Sequence, residues 1–582
     1  MKFKPNYVLA ALALVALGSL AGCNDDDKAP AAQAQQDPAA AVAAAVNNIQ
    51  TVVVIYAENR SFDNLYSDFP GQDNPLAKPT TKIYPQLNRD GSTLTRLPRV
   101  WGNLTVASTK QFDAGVAQVS EAVTDTALAS VTGVYSINDT FGMGLNGVNH
   151  DMWHNFYQNQ MQIDGGKNDM FAAWADSGGM VMGIFTGNQD KLPLWKVAQK
   201  YTMADHWFQG AFGGSFLNHQ YLIASSAPVD NSTVKRTLVP QLDDGAFGYH
   251  LSVKPADASN PAVGATPLDA ISVNGSNGLF VNGGGNLTPD GYAINTMQPP
   301  YQPSGTAQAS GATGSALLVA DPAIVASSTT LPAQSGDTIG DYLTKANVKW
   351  AWYAGGWGTM QACTVVDTTA STCPMATRFP STAYLADGVT PAIDFQFHHQ
   401  PFNYFKKFDP TTTDGVANRT AHLLDAGDDG SKFVADIDAG KLPPVTFYKP
   451  VGYQNEHGGY TNVSIGDQHI ADVIAHLEKS PQWKNMLVIV TYDENGGIWD
   501  HVAPPKGDRF GPGSRIPAII AGPTVKTGFV DHTMYDTTSI LRFITRRWNL
   551  PVLPGLQTRI DALTKNAGAP EGDLSNTLQT SM

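Results

Sequence analysis

The chain has 582 residues, of which 42% are hydrophobic and 15% charged, enough material for a sizeable core in one large domain or two ordinary ones. A formal net charge of −14 argues against nucleic acid as a partner, because a phosphate backbone needs a basic footprint. The same acidity is that of an ordinary soluble surface and identifies no substrate.

The N-terminus reads as export machinery. Lys2 and Lys4 precede an apolar run from Tyr7 to Leu20, which ends in Leu20-Ala21-Gly22-Cys23, too short a run for a spanning helix and shaped like a signal h-region. That tetrapeptide resembles the lipobox of bacterial lipoproteins. Residues 1–23 are therefore expected to be a lipoprotein signal, with Cys23 lipidated and the protein held at the periplasmic face or outer membrane; plain secretory cleavage nearby is the alternative. No later run of about 18 apolar residues occurs. Two cysteines remain, Cys363 and Cys373, and in an exported chain their spacing predicts a local disulfide. Residues 24–48, rich in Asp, Ala, Gln and Pro, are expected to form a flexible tether.

The fold begins with Thr51–Tyr56, a β-branched run that predicts a buried strand and ends in Glu58-Asn59-Arg60-Ser61-Phe62-Asp63. Taken alone, Glu58-Asn59 is equally a helix cap. Residues 101–150 look irregular and lead into Asn149-His150-Asp151-Met152-Trp153-His154. Next comes Gly213-Gly214-Ser215-Phe216-Leu217-Asn218, where glycines precede a helix-capable run. A serine there either caps the helix or presents its hydroxyl where free backbone N–H groups favour an anion.

From 229 to 335 the composition shifts to Gly, Ser, Pro, Asn and Ala, predicting a loop-rich insertion or cap. Helical spacing returns at Thr338–Ala346 and strand character at Val348–Ala354. His398-His399-Gln400-Pro401 supplies a histidine pair before a turn. Pro443–Tyr448 predicts a strand with Asn455-Glu456-His457 beyond its end, and Gln468–Lys479 a helix. Met486–Val490 is a five-residue apolar run that stops at Asp493-Glu494-Asn495-Gly496-Gly497, followed by Asp500-His501 and Pro504-Pro505. Adjacent carboxylates repel unless a cation or shared proton compensates. Arg515–Pro523 predicts one more buried strand, and Thr537–Trp548 a closing helix. Strands alternating with helices give an α/β class with a mainly parallel central sheet flanked by helices, a main domain over 49–550 and a C-terminal extension over 551–582.

Glu58-Asn59-Arg60-Ser61-Phe62-Asp63, Gly213-Gly214-Ser215 with Asn218, His398-His399, Asn455-Glu456-His457 and the Asp493–Pro505 motif together resemble the bacterial acid phosphatase and phospholipase C family, of the alkaline phosphatase superfamily. The resemblance implies an alkaline-phosphatase-like fold and one divalent metal held by Glu58, Asn59, Asp493, Glu494 and the Ser215 oxygen. It implies Ser215 as a nucleophile forming a phosphoserine, with His150, His457 and one of His398 and His399 (His399 preferred) contacting phosphate oxygens. Asp500-His501 is expected to orient the metal ligands. The phospholipase branch usually has Thr where Ser215 stands and often carries extra C-terminal domains. Both differences point to an acid phosphatase acting on small phosphate monoesters, with phospholipid head-group diesters as the alternative substrate. If imidazolium is required, activity should be greatest on the acidic side of neutral.

Overall fold

The computed structural model describes residues 37–88, 91–97, 133–142, 144–149, 151–175, 178–230, 241–242, 250–251, 286–288, 290–325, 330–365 and 394–580. Cys23, His150, Cys373 and the Cys363 side chain lie outside them, so the lipidation, disulfide and His150 expectations fall there too.

Eight strands form the central sheet: β1 (Thr51–Ala57), β2 (Thr202–Ala204), β3 (Trp350–Ala354), β4 (Leu423–Asp425), β5 (Val445–Lys449), β6 (Met486–Tyr492), β7 (Ala518–Ala521) and β8 (Phe529–Asp531). Their spatial order is β8-β2-β7-β6-β1-β5-β3-β4. β1 and β6 are buried along their whole length, which explains why both appear in the sequence as unbroken apolar runs rather than alternating ones. β1 runs parallel to both β5 and β6, and the register sets Ala57 beside Tyr492 and Ile55 beside Tyr448. All three strands therefore end at the same edge of the sheet.

The sheet is mainly parallel, as its sequence predicts, but β7 runs antiparallel to both β6 and β2. β7 also starts later than expected. Pro517 has no N–H to give a ladder, its carbonyl accepts Thr491 Oγ1 at 3.0 Å, and Arg515 is engaged elsewhere.

Helices occupy the connections. α1 (Pro38–Asn48) overturns part of the expected tether: Asp37 caps it by accepting Ala39 N at 3.1 Å, Pro38 opens it, and its alanines favour helix. Asn485 Nδ2 donates to the Asn48 carbonyl at 2.9 Å, docking α1 at the start of β6. α2 (Phe62–Tyr66) is capped by Ser61, whose hydroxyl accepts Asn64 N at 3.2 Å. α3 (Ser215–Ala224) is buried on every face and packs against α5 (Thr538–Arg547) and the turn Phe397–His399. α4 (Val463–Lys479) begins before the expected Gln468 because Asn462 caps it through Ile465 N at 3.0 Å. Its buried Ile470, Val473, Ile474 and Leu477 follow helical spacing.

The residues after 550 dock on the body through α6 (Pro554–Ala567). The buried Arg559 reaches Asp508 at 2.8 Å, Asp536, and the Gly210 carbonyl at 2.7 Å. The described part of 229–335 is loop-rich, with short helices at Gly314–Leu318 and Pro322–Val325 and isolated bridges. Tyr404 Oη donates to the Met297 carbonyl at 2.7 Å and Asn403 Nδ2 to the Tyr301 carbonyl at 2.8 Å, which fixes this segment over the functional edge of the sheet.

Candidate active site

The paired ends of β1 and β6 deliver the first four candidate ligands together. Asp493 N donates to the Ala57 carbonyl at 3.0 Å and Asn59 N to Asp493 Oδ1 at 3.1 Å, so the two turns are knitted side by side. Asn59 sits at φ +60°, and a Cβ at Gly496 would lie 2.7 Å from the Asn59 carbonyl oxygen, which is why the second turn needs glycine there. Glu58, Asn59, Asp493 and Glu494 are all buried.

Ser215 joins them from the N-terminus of α3. Gly214, not Ser215, is the N-cap residue, so the hydroxyl is not spent on capping; it donates to Glu58 Oε2 at 3.5 Å. A Cβ at Gly213, where φ is +84°, would sit 2.5 Å from the Phe156 nitrogen, so only glycine allows α3 to approach this closely. Ser215 opens into a cavity of about 280 Å³ whose wall includes Asp151, His154, Met297, Gln298, His398, Tyr404 and His457.

Apart from His150, which lies outside the described residues, the structure brings the expected residues together, and it places the two members of the histidine pair differently. His398 lines the cavity, whereas His399, preferred from sequence, packs its Nε2 against Glu58 Oε1. The two rings are nearly perpendicular, at 88°, so adjacent positions on one short turn serve different neighbours. His457 does reach the cavity. It stacks on Tyr460 with centroids 4.4 Å apart, its Nδ1 donates to the Gly458 carbonyl, and its Nε2 lies 3.7 Å from Glu58 Oε2.

Three participants escape sequence reasoning. Lys449 ends β5 and puts Nζ 2.5 Å from Glu58 Oε1, fully buried; a strand-terminal lysine ordinarily reads as a solvated end. His154 donates from Nδ1 to the Met152 carbonyl at 2.5 Å and faces Glu494 Oε1 with Nε2 at 3.6 Å. The signal for His219 was its place one turn after Ser215: Nδ1 donates to the Ser215 carbonyl at 2.7 Å and the ring stacks on His399 at 5.3 Å.

Electrostatics separate these groups. Burial pushes Glu58 up, but His399 and the Lys449 cation beside it more than offset that and hold its pKa well below the usual range. Burial drives His399 itself down to about 4, so Lys449 is the lasting positive charge on Glu58. Burial and the Glu58 charge raise Asp493 to about 7. Burial, with Asp493 beside it, raises Glu494 well above normal against the pull of His154. Burial opposes protonation of His154, yet Glu494 and Asp151 win and lift it to about 9.

The residues fit a divalent cation. Asn59 Oδ1 and Glu494 Oε1 are buried oxygens that accept no hydrogen bond from the described residues, and two carboxylates are forced toward their protonated forms for want of positive charge. Oxygen donors suit a hard ion. Ligand atoms of Glu58, His219 and His399 lie within 4.8 Å of one another, so nitrogen donors are also within reach.

Behind the site, Asp500 and His501 belong to a buried charge network. Arg515 spans Asp500 Oδ1 and Asp63 Oδ1, both at 2.9 Å, and stacks over Phe62. His501 Nδ1 donates to Asp63 Oδ2 at 2.6 Å, and Asp63 N donates to Asp500 Oδ2 at 2.9 Å. This network ties the turn after β1 to the turn after β6. Replacing Arg515 with Leu leaves the buried Asp500 without its cation and Asp63 with His501 alone, and is expected to cost about 3–5 kcal/mol, measured as a shift of the urea midpoint; a change below about 1 kcal/mol would contradict that role.

An α/β sheet whose strand ends gather carboxylates, imidazoles and a helix-terminal serine around one cavity defines a class of site built for oxygen-rich, anionic groups. The chain belongs to the phosphoesterase family, whose family model matches residues 49–551. It is similar to phospholipase C B of Mycobacterium tuberculosis, 31% identical over 170 residues that make up 25% of this chain and 31% of that protein. It is also similar to the non-hemolytic phospholipase C of Burkholderia pseudomallei, 29% identical over 178 residues, 25% of each. The chain thus spans about a third or less of the length of these relatives. A solved structure of a protein in the alkaline phosphatase superfamily from Vibrio parahaemolyticus aligns over 37% of this chain and 48% of that one, at 12% identity and a TM-score of 0.21.

Proposed function

We propose that this protein is an exported, lipid-anchored acid phosphatase that hydrolyses phosphate monoesters through a phosphoserine on Ser215. The observation that carries the reading is the Ser215 hydroxyl, at a helix N-terminus, opening into the same cavity as His154, His398 and His457. The export and anchoring parts rest on the sequence around Cys23.

In this reading Ser215 Oγ attacks phosphorus as the bond to the leaving oxygen breaks. Glu58 Oε2 accepts the hydroxyl hydrogen bond and orients Oγ, and Asp493, raised to about 7 and also bonded by Ser215, is the carboxylate placed to take the proton. The first backbone N–H groups of α3, together with His398 and His457, hold the non-bridging oxygens. His154, which lines the cavity with Nε2 facing Glu494 Oε1, hands a proton to the leaving oxygen. Water then attacks the phosphoserine and releases phosphate. A divalent cation held by Glu58, Asn59, Asp493 and Glu494 would supply charge neutralisation and favour the ionised serine.

A second reading, a phospholipase C acting on head-group diesters, is favoured by the names of the similar proteins. A diester carries a second substituent where a monoester has a free oxygen, so the two substrates ask different things of the wall formed by Met297, Gln298 and Tyr404. Purified protein is expected to turn over p-nitrophenyl phosphate faster than p-nitrophenyl phosphorylcholine. The reverse order would replace the first reading with the second.

A further inference from the structure

Away from the cavity, three distant chain segments converge on one buried carboxylate. Asp205 directly follows β2 and is fully buried. Its Oδ1 is 2.9 Å from His206 Nδ1, and its Oδ2 accepts Asp73 N at 2.8 Å. His532, directly after the edge strand β8, brings its Nδ1 to 3.0 and 2.8 Å from the same two oxygens. Asp73, in the loop after α2, sets its own carboxylate 4.0 Å from His206 Nε2. One ligand atom each from Asp205, His206 and His532 lies within 4.8 Å of the other two.

We propose that Asp205, His206 and His532, with Asp73 at the open side, form a second divalent-metal site of the zinc class, separate from the phosphoesterase centre. The charge count supports it. Two carboxylates meet two imidazoles, and among the described residues neither carboxylate pairs with a lysine or arginine; the nearby Arg515 donates instead to the Asp205 backbone carbonyl at 3.0 Å. When both Nδ1–H groups donate to Asp205, neutral His206 presents its Nε2 lone pair 4.0 Å from Asp73 Oδ2, which also accepts Asn74 Nδ2 at 3.2 Å, so a cation between them would take both as ligands. Two imidazoles and one or two carboxylates are a zinc-type donor set, with metal–ligand bonds of about 2.0–2.2 Å. The imidazole planes stand at 88° with centroids 6.3 Å apart, so they approach from different directions instead of stacking. An ion has a way in: His532 borders a groove of about 540 Å³ lined also by Phe69, Gly71 and Val530.

The site would act as a staple. Asp73 belongs to the loop after α2, Asp205 and His206 to the end of β2, and His532 to the end of β8, which pairs with β2 at the rim of the sheet. A bound ion fixes that rim, and binding to the folded state alone raises stability.

The test uses the full chain and Zn²⁺ alone as probe, comparing the parent with His532→Ala, a half-exposed position whose loss should not unfold the protein. After equilibrium dialysis, elemental analysis is expected to find one Zn²⁺ equivalent fewer in the variant. Turnover without added Zn²⁺ should agree within about twofold, since His532 touches no part of the cavity. Saturating Zn²⁺ should raise the melting temperature of the parent more than that of the variant. Equal Zn²⁺ equivalents in the two proteins, or equal thermal shifts, would overturn the proposal.

Discussion

Replacing Ser215 with Ala is expected to lower p-nitrophenyl phosphate turnover by at least about 10³-fold while leaving the fold intact. The size of the loss follows from what the hydroxyl does and what replaces it. Within the cavity it is the hydroxyl placed beside Glu58 at the start of α3, so the variant has no atom to accept the phosphoryl group, and a water in its place would not be held there by a covalent bond to the chain. The change is mild for stability. Ser215 is not the cap of α3, its hydrogen bond to Glu58 is long at 3.5 Å, and Ala is a better helix former. Circular dichroism and the urea midpoint should therefore match the parent. Trapping experiments sharpen the result: brief acid quenching with labelled substrate should leave label on the parent and none on the variant. Near-parental turnover in Ser215→Ala would remove the serine from the chemistry, whichever phosphoester is the natural substrate.

Much of this site was legible in the chain because its strands are buried on both faces. Thr51–Ala57 and Met486–Tyr492 carry no alternation to obscure them, and each ends abruptly in polar residues, so Glu58-Asn59 and Asp493-Glu494 stand out. Their union was not legible. It depends on the pairing of Ala57 with Tyr492, a long-range register that neither segment encodes by itself. The same register brings in Lys449, whose burial follows from a third strand ending at the same edge. Composition misled at α1, where alanines that look like a linker are also strong helix formers once Asp37 and Pro38 start the helix. The reversed direction of β7 left no trace either, since an apolar run of four residues reads the same both ways. At His398-His399 the ambiguity was physical: in a single short turn, successive side chains diverge, and only packing decides which meets Glu58 and which meets the cavity.

Asp493→Asn is expected to separate metal binding from folding. In the parent, burial and the charge of Glu58 raise the Asp493 pKa to about 7, against about 3.9 for an unfolded aspartate. A carboxyl whose folded pKa is raised binds its proton more tightly in the native state, so its contribution to stability falls as pH climbs from the unfolded value to the folded one. Above pH 7, without a cation, ionised Asp493 therefore works against the fold. Asn keeps the shape and the oxygen that accepts Asn59 N and Glu494 N, but removes the charge. At pH 8 in the presence of a chelator, the variant should be at least as stable as the parent treated the same way. Its affinity for a divalent ion should nevertheless fall by at least about tenfold, because an anionic ligand has become a neutral one. Elemental analysis and thermal melting with and without chelator read the two effects independently. The parent should lose stability on chelation at pH 8 and the variant should barely respond. A variant that keeps its full metal complement would place the ion elsewhere, on the Glu58, His219 and His399 side, where imidazole nitrogens stand ready.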